Sequence, residues 1–167
     1  MGVIVVPSDF TEKYQLSQGL YSTNQIDAYI AKYEPYYLTQ LLGKTLYDLF
    51  VADLVNKVPV TARFLAIYNP FDIDDDNCLI HSDGMKEMVM GLIQFFYARE
   101  AKVVNTQHGN VVNNQENADR AVGAENGLVM RYNDSIRTYQ SIQWFIEEND
   151  TDYPEENMQF KTFISGI

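Results

Sequence analysis

Ser82-Asp-Gly-Met-Lys-Glu-Met-Val-Met-Gly-Leu-Ile-Gln-Phe-Phe-Tyr-Ala-Arg99 is the stretch that decides the fold. Met85, Met88, Val89, Leu92, Ile93 and Phe96 recur at three- and four-residue spacing, which on a 3.6-residue repeat makes one unbroken apolar stripe. Ser82 or Asp83 supplies a capping oxygen at its start. The spacing predicts a helix from there to about Val104, and a stripe this long must be buried against other helices.

Partners for it appear on both sides. Ser22-Thr-Asn-Gln25 has the spacing of a capping box, and Ile26, Tyr29, Ile30 and Tyr33 follow it at helical spacing, so a helix is expected to begin near Asn24. Pro35 has no N–H to give Ala31, at a cost of ~3 kcal/mol, which predicts a kink or restart there. Tyr37, Leu38, Leu41 and Leu42 carry the face onward to Gly43, a residue suited to a left-handed closing turn. Leu46, Tyr47, Leu49, Phe50 and Leu54 form a further stripe ending before Pro59, and a short piece from Thr61 to Tyr68 stops at Asn69-Pro70. Toward the C-terminus, Leu128, Tyr132, Ile136, Tyr139, Ile142 and Ile146 mark a last long helix.

Residues 105–127 differ in texture, with six asparagines and three glycines that break any period. Long irregular connections are uncommon in compact domains unless they serve a function, so the segment reads as a projecting arm, with Val111-Val112 as a possible short strand. Val3 to Val6 reads as extended, because β-branched residues favour that shape and Pro7 stops it. The expectation is therefore all-α: a small bundle of about four main helices with a long projecting loop or arm and extended termini. A single domain would span 1–167, with a helical core over 20–104 and 128–148, the arm at 105–127, and extended or flexible termini at 1–19 and 151–167.

The chain has 167 residues, enough for one core without metal or disulfide staples, and Cys78 has no second cysteine to pair with. Against 23 Asp and Glu stand only 12 Lys and Arg, a formal charge of −11, and no two basic residues are adjacent. Binding to nucleic acid needs clustered cations, so this balance argues against it and for a basic partner, or for a surface that DNA slides past. The N-terminal run lacks a basic flank and ends at Pro7, unlike a signal peptide, and Val6 stands where a myristoylation motif wants Ser or Thr. No run approaches the ~20 apolar residues that span a bilayer. An intracellular protein, or a part of something assembled inside a cell, is expected.

Asp72, Asp74, Asp76 and Asp83 fall at positions 1, 3, 5 and 12 of a calcium-type loop, with Asn77 in place of the turn glycine and Asp83 in place of the bidentate Glu. A solvated acidic loop capping the next helix is the plainer reading. Cys78 and His81 lack a third orienting group, and no phosphate loop, nucleophile elbow or zinc-protease motif occurs. No enzyme and no cofactor is expected. Tyr36-Tyr37 and Phe95-Phe96-Tyr97 are consecutive and so point around their helices, which predicts that Tyr36, Tyr37, Phe95 or Tyr97 meets a partner. Met158 to Ile167 is an apolar tail whose Phe160, Phe163 and Ile164 are further interface candidates.

Two stretches resemble a known family. Glu34-Pro-Tyr-Tyr-Leu-Thr-Gln-Leu-Leu-Gly-Lys-Thr-Leu-Tyr-Asp-Leu-Phe50 is one. The other is Gly84 to Arg99 followed by Asn105-Thr-Gln-His-Gly-Asn-Val-Val112 and Glu116-Asn-Ala118. Together they are similar to the head-to-tail connector, or neck-ring, proteins of tailed bacteriophages, especially the Bacteroidetes and crAss-like phages. The likeness spans most of residues 20–150.

It implies a helical bundle assembled in the host cytoplasm as a ring, commonly a dodecamer, in the neck of the virion. Such a ring binds the portal and the next neck or tail protein. Its arms, here Thr106, Gly109, Val111 and Val112, reach neighbouring copies, and DNA passes without being specifically bound. Neither membrane nor catalysis is implied. The rival reading is an acidic binding protein that mimics DNA in the cleft of a nucleic-acid enzyme; a calcium-binding module comes third.

Overall fold

A computed structural model of the chain describes residues 2–15, 23–75, 78–101, 103–106, 109–112 and 122–155. The N-terminal segment runs through two short 3-10 turns, Pro7–Asp9 and Glu12–Tyr14, and buries Ile4, Val5, Phe10 and Tyr14 in the core. Residues 2–15 of the expected extended terminus are thus part of the packed subunit.

Helix α1 (Thr23–Asp53) follows, and it runs through Pro35 with helical dihedrals. Ile30, Tyr37 and Leu38 are buried on either side of that proline. Each such side chain contributes about 1.5–3 kcal/mol. Together they outweigh the ~3 kcal/mol a mid-helix proline costs, so the helix does not restart there. The helix breaks instead at Gly43, whose φ of 71° and ψ of 163° lie in a region open essentially to glycine alone. That is an extended kink, not the expected left-handed closing turn. Leu42 and Leu46 on its two sides are both fully buried, so both halves of α1 face one core.

Strands β1 (Leu54–Val55) and β2 (Val58–Pro59) form a hairpin in which Leu54 opposes Pro59 and Val55 opposes Val58. Asn56 and Lys57 both have positive φ, as a two-residue hairpin turn of the primed type requires. Asp53 spans the hairpin. One of its carboxylate oxygens accepts the Val60 and Thr61 N–H groups at 2.8 and 2.9 Å, and the other accepts the Thr61 hydroxyl, fastening the end of α1 to the start of α2 (Ala62–Tyr68). Phe64 and Ile67 of α2 enter the core, Phe64 edge-on to Phe50.

Strands β3 (Phe71–Asp75) and β4 (Cys78–Ser82) pair antiparallel in continuous register from Phe71↔Ser82 to Asp75↔Cys78. The segment expected as an acidic loop is this hairpin. Helix α3 (Met85–Ala101) follows, its first carbonyl, Gly84, accepting from the Met88 N–H and the Ser82 hydroxyl accepting from the Gly84 N–H. Strands β5 (Val103–Thr106) and β6 (Gly109–Val112) make a third hairpin where α3 was expected to continue and the arm to begin, and α4 (Val122–Glu148) starts six residues before the first apolar position assigned to it.

Helices α1, α3 and α4 pack together, α2 touches α3 and α4, and β4 lies against α4. The all-α expectation is therefore corrected: this is a helical bundle carrying three two-stranded antiparallel hairpins among the described residues. Val111 and Val112, read from the sequence as a short strand, lie in β6, while the β3–β4 hairpin sits in a segment whose acidic composition hides it. Aspartate, asparagine and glycine are poor strand formers, and hairpins this short owe their existence to their turns and the helices beside them.

Helix α3 is the centre of the bundle. Residues 88–95 are buried without interruption, so its neighbours cover its whole circumference and not only the stripe that spacing picks out. Gly91 permits a close approach to Ser135 of α4.

Candidate functional site

Of the four carboxylates of the calcium reading, Asp72, Asp74 and Asp83 are described, Asp72 and Asp74 on a paired strand and Asp72 and Asp83 both against His81. On a paired strand Asp72 and Asp74 lie about 7 Å apart along the chain. Both are exposed, and Asp72 stands directly opposite His81. Its Oδ1 is 2.6 Å from His81 Nδ1, while Asp83 Oδ1 is 3.2 Å from Nε2. Hydrogen bonds to Asp72 first and Asp83 second hold the imidazole pKa above its ordinary value. Among the described residues no group of three or more His, Cys, Asp or Glu is placed to hold a metal. Asp76 lies outside the described residues.

Between β4 and α4 the structure opens a shallow groove of about 400 Å³ lined by Leu79, His81, Asp83, Arg137, Ser141 and Trp144, among others. Its floor is closed by Ser141, whose hydroxyl donates to the His81 carbonyl at 2.7 Å, and by Thr138, whose hydroxyl oxygen accepts the Asp83 N–H at 3.2 Å. These bonds occupy the side of β4 turned toward α4. No sequence motif marks the groove, because its walls come from segments some 55–60 residues apart.

The consecutive aromatics divide. Tyr37, Phe95 and Tyr97 are at most 7% exposed and serve the subunit's own core, which corrects their reading as partner contacts. The reason is the central place of α3: with α1 on one side and α4 on another, neighbouring residues on one helix all find cover. Phe95 lies 4.3 Å, centroid to centroid, from Tyr132 of α4, and Tyr97 meets Tyr29 of α1 edge-on at 5.1 Å. Tyr36 alone of the four remains open, 53% exposed and edge-on to Tyr37. Beside it Tyr33 stacks on Phe96 at 4.7 Å, and the Tyr29 and Tyr33 hydroxyls donate to Glu100 at 2.6 and 3.0 Å. These bonds, with Tyr29's the stronger, lower the Glu100 pKa.

Of the arm, Thr106, Gly109, Val111 and Val112 fall in the β5–β6 hairpin, Thr106 opposite Gly109 and Val104 opposite Val111. The remainder of the arm from 113 to 121 lies outside the described residues, as do Phe160, Phe163 and Ile164 of the tail.

Two features escaped the sequence reading. One is the outer face of the β1–β2 hairpin, where Val55, Val58 and Val60 are 57, 43 and 60% exposed while Pro59 on the other face is buried. The other is Glu34, fully buried on α1. Its carboxylate accepts the N–H groups of Val3, of Ile4 at 2.7 Å and of Val5 at 2.8 Å, and the Lys57 ammonium binds the Gly2 and Val3 carbonyls alongside. Burial pushes the Glu34 carboxyl above the usual carboxylate range, and the three N–H donors pull the other way. The signal was present: Glu34 sits midway between Ile30 and Leu38 on the apolar face, where an acid needs buried donors.

Compared with known proteins, the chain matches no family model, no curated protein sequence and no solved structure. No helix among the described residues is long and apolar enough to cross a membrane.

Proposed function

We propose that this protein is a structural subunit of a phage particle, a head-to-tail connector that assembles with copies of itself as a ring in the neck. It joins the portal to the next neck or tail protein, and DNA passes through without being specifically bound. The observation that carries the reading is the β5–β6 hairpin at the end of α3. It has two strands of four residues, and no third strand joins it among the described residues. A lone hairpin is marginally stable in water, and its outer edges present unpaired N–H and C=O groups on which another chain adds by strand pairing. An arm of this kind links neighbours in a head-to-tail ring. The likeness of residues 34–50, 84–99, 105–112 and 116–118 to neck-ring proteins points the same way, and a net charge of −11 per subunit suits a channel that must not hold DNA.

Quantitative mass spectrometry of purified phage particles from the source of this gene tests the proposal. The expected result is about a dozen copies per particle, released together with portal and tail on mild disruption. Absence from intact particles, with the protein confined to infected cells, overturns it in favour of the acidic DNA mimic.

A further inference from the structure

Strand β4 turns one edge toward α4, and the bonds along that edge show where it opens. Alternate residues of a paired strand send both their N–H and their C=O to the same edge. The His81 carbonyl accepts from the Ser141 hydroxyl and the Asp83 N–H donates to Thr138, so the edge shared by residues 79, 81 and 83 faces α4. Leu79 lies two residues before His81 on β4, and Trp144 lies three residues beyond Ser141 on α4. Both line the groove of about 400 Å³ that opens between the two elements. Strand β3 pairs with the other edge of β4, and among the described residues no strand pairs with this one. Such an edge accepts an extended segment through its main chain.

The side chains around the groove say what that segment carries. Leu79 is 67% exposed, and Trp144 is only partly covered, so the two offer an apolar pair. Acids border it. Asp72 and Asp74 stand opposite His81 and Leu79 on the exposed face of the hairpin, and Asp83 and Asp134 line the groove itself. The positive groups among the described lining residues are His81 and Arg137, and Arg137 is already paired with Asp134 at 2.7 Å. Four carboxylates against one guanidinium and one imidazole leave the rim negative, and an apolar pair bordered by acids complements a partner that carries both an apolar side chain and a cation.

We infer that the groove between β4 and α4 docks an extended segment of another protein, in which a lysine or arginine stands within two residues of a large apolar side chain. The segment's main chain pairs with β4 at Leu79, its apolar side chain covers Leu79 and Trp144, and its cation meets the carboxylates of the rim. A second copy is the competing occupant, but each copy carries −11, so two copies repel where a basic partner is drawn in. The inference does not rest on the neck-ring reading, and either can fail without the other.

Trp144 is the only tryptophan in the chain, so its emission reports on the groove directly. A random library of displayed octapeptides is selected on the full-length protein, and enriched peptides lacking tryptophan are synthesised and titrated against it. The expected result is enrichment of Lys or Arg within two positions of Leu, Ile, Val or Phe, with a saturable shift of the Trp144 emission to shorter wavelength. Leu79→Ser is expected to weaken binding about tenfold, the loss of one apolar contact. Asp134→Asn is expected to weaken it about threefold, and Arg137→Gln, which removes a competing cation, to tighten it by about as much. All three side chains are exposed, and a gain in Arg137→Gln is a result that damage to the fold does not produce.

Enrichment of no sequence, or of sequences without that pairing of cation and apolar residue, overturns the inference. So does binding that leaves the Trp144 emission unchanged or is indifferent to the three variants. An emission that already shifts on concentrating the protein alone assigns the groove to a second copy and overturns the inference as well.

Discussion

Gly91 of α3 and Ser135 of α4 meet so closely that a Cβ built at position 91 would lie 2.0 Å from the Ser135 Oγ and 3.2 Å from the Arg131 carbonyl oxygen. The Ser135 hydroxyl, buried, donates to that same Arg131 carbonyl at 2.9 Å. The absence of one carbon therefore sets how near the two central helices come, and with it the packing of Phe95 against Tyr132 one turn further on.

Gly91→Ala forces the helices apart or turns the serine away, and the expected loss is about 1–3 kcal/mol, the usual cost of overpacking. Removing the obstructing oxygen should restore most of it. G91A/S135A is expected to be more stable than G91A alone, a coupling measured by urea unfolding of the four members of the cycle. Simple additivity would contradict the contact.

Glu34→Ala leaves three buried N–H groups without their acceptor, and the expected loss is about 2–4 kcal/mol from unsatisfied donors and lost volume. Glu34→Gln keeps one acceptor oxygen and carries no charge to desolvate, so its loss should be smaller. Hydrogen exchange reads the effect locally: Val3, Ile4 and Val5 amides lose protection in the alanine variant. Because burial raises the Glu34 pKa, this group's contribution is fully present below its unfolded pKa and is lost as pH rises through the folded one.

His81 is raised by Asp72 and then Asp83, so its charged form stabilises the β3–β4 hairpin. That contribution is present below pH ~6.5, the unfolded value, and is lost as pH rises through the higher folded pKa. At this exposure its size is about 0–1 kcal/mol. NMR titration of the imidazole should give a pKa above the free value in the parent and a lower one in Asp72→Asn; an identical pKa in both would remove Asp72 as the cause.

Tyr153→Phe removes the hydroxyl that closes on the Arg63 carbonyl, with an expected loss of about 1 kcal/mol in thermal or urea unfolding. Burial pushes the Tyr153 hydroxyl up to about 12. Its contribution is therefore intact below pH ~10 and lost as pH rises through that value. An ultraviolet titration that finds one tyrosine fewer in the alkaline range in the variant checks the assignment.

Helices were legible because their evidence is local. Met88, Leu92 and Phe96, or Ile136 and Tyr139, sit within a few turns of one another, and their spacing alone says which side of the segment is buried. The β3–β4 hairpin was hidden for the opposite reason. Asp72 and Asp74 are poor strand residues, and what holds them in β3 is pairing with His81 and Leu79 together with the backing of β4 by α4. Tyr37, Phe95 and Tyr97 read as too many aromatics for one core because spacing cannot count a helix's neighbours.

Periodicity and charge, taken from the chain alone, set the helical segments, an apolar centre in Met85–Ala101, and a net charge of −11. Tertiary packing decided the rest: that α1 passes Pro35 and bends at Gly43, that Val3–Val5 end on Glu34 some thirty residues away, and that a groove opens between β4 and α4. The division is physical. A helix satisfies its backbone within its own segment, so its pattern is written there. A buried carboxylate, a short hairpin and a close helix contact are each satisfied by atoms far along the chain, and only the folded arrangement brings those atoms together.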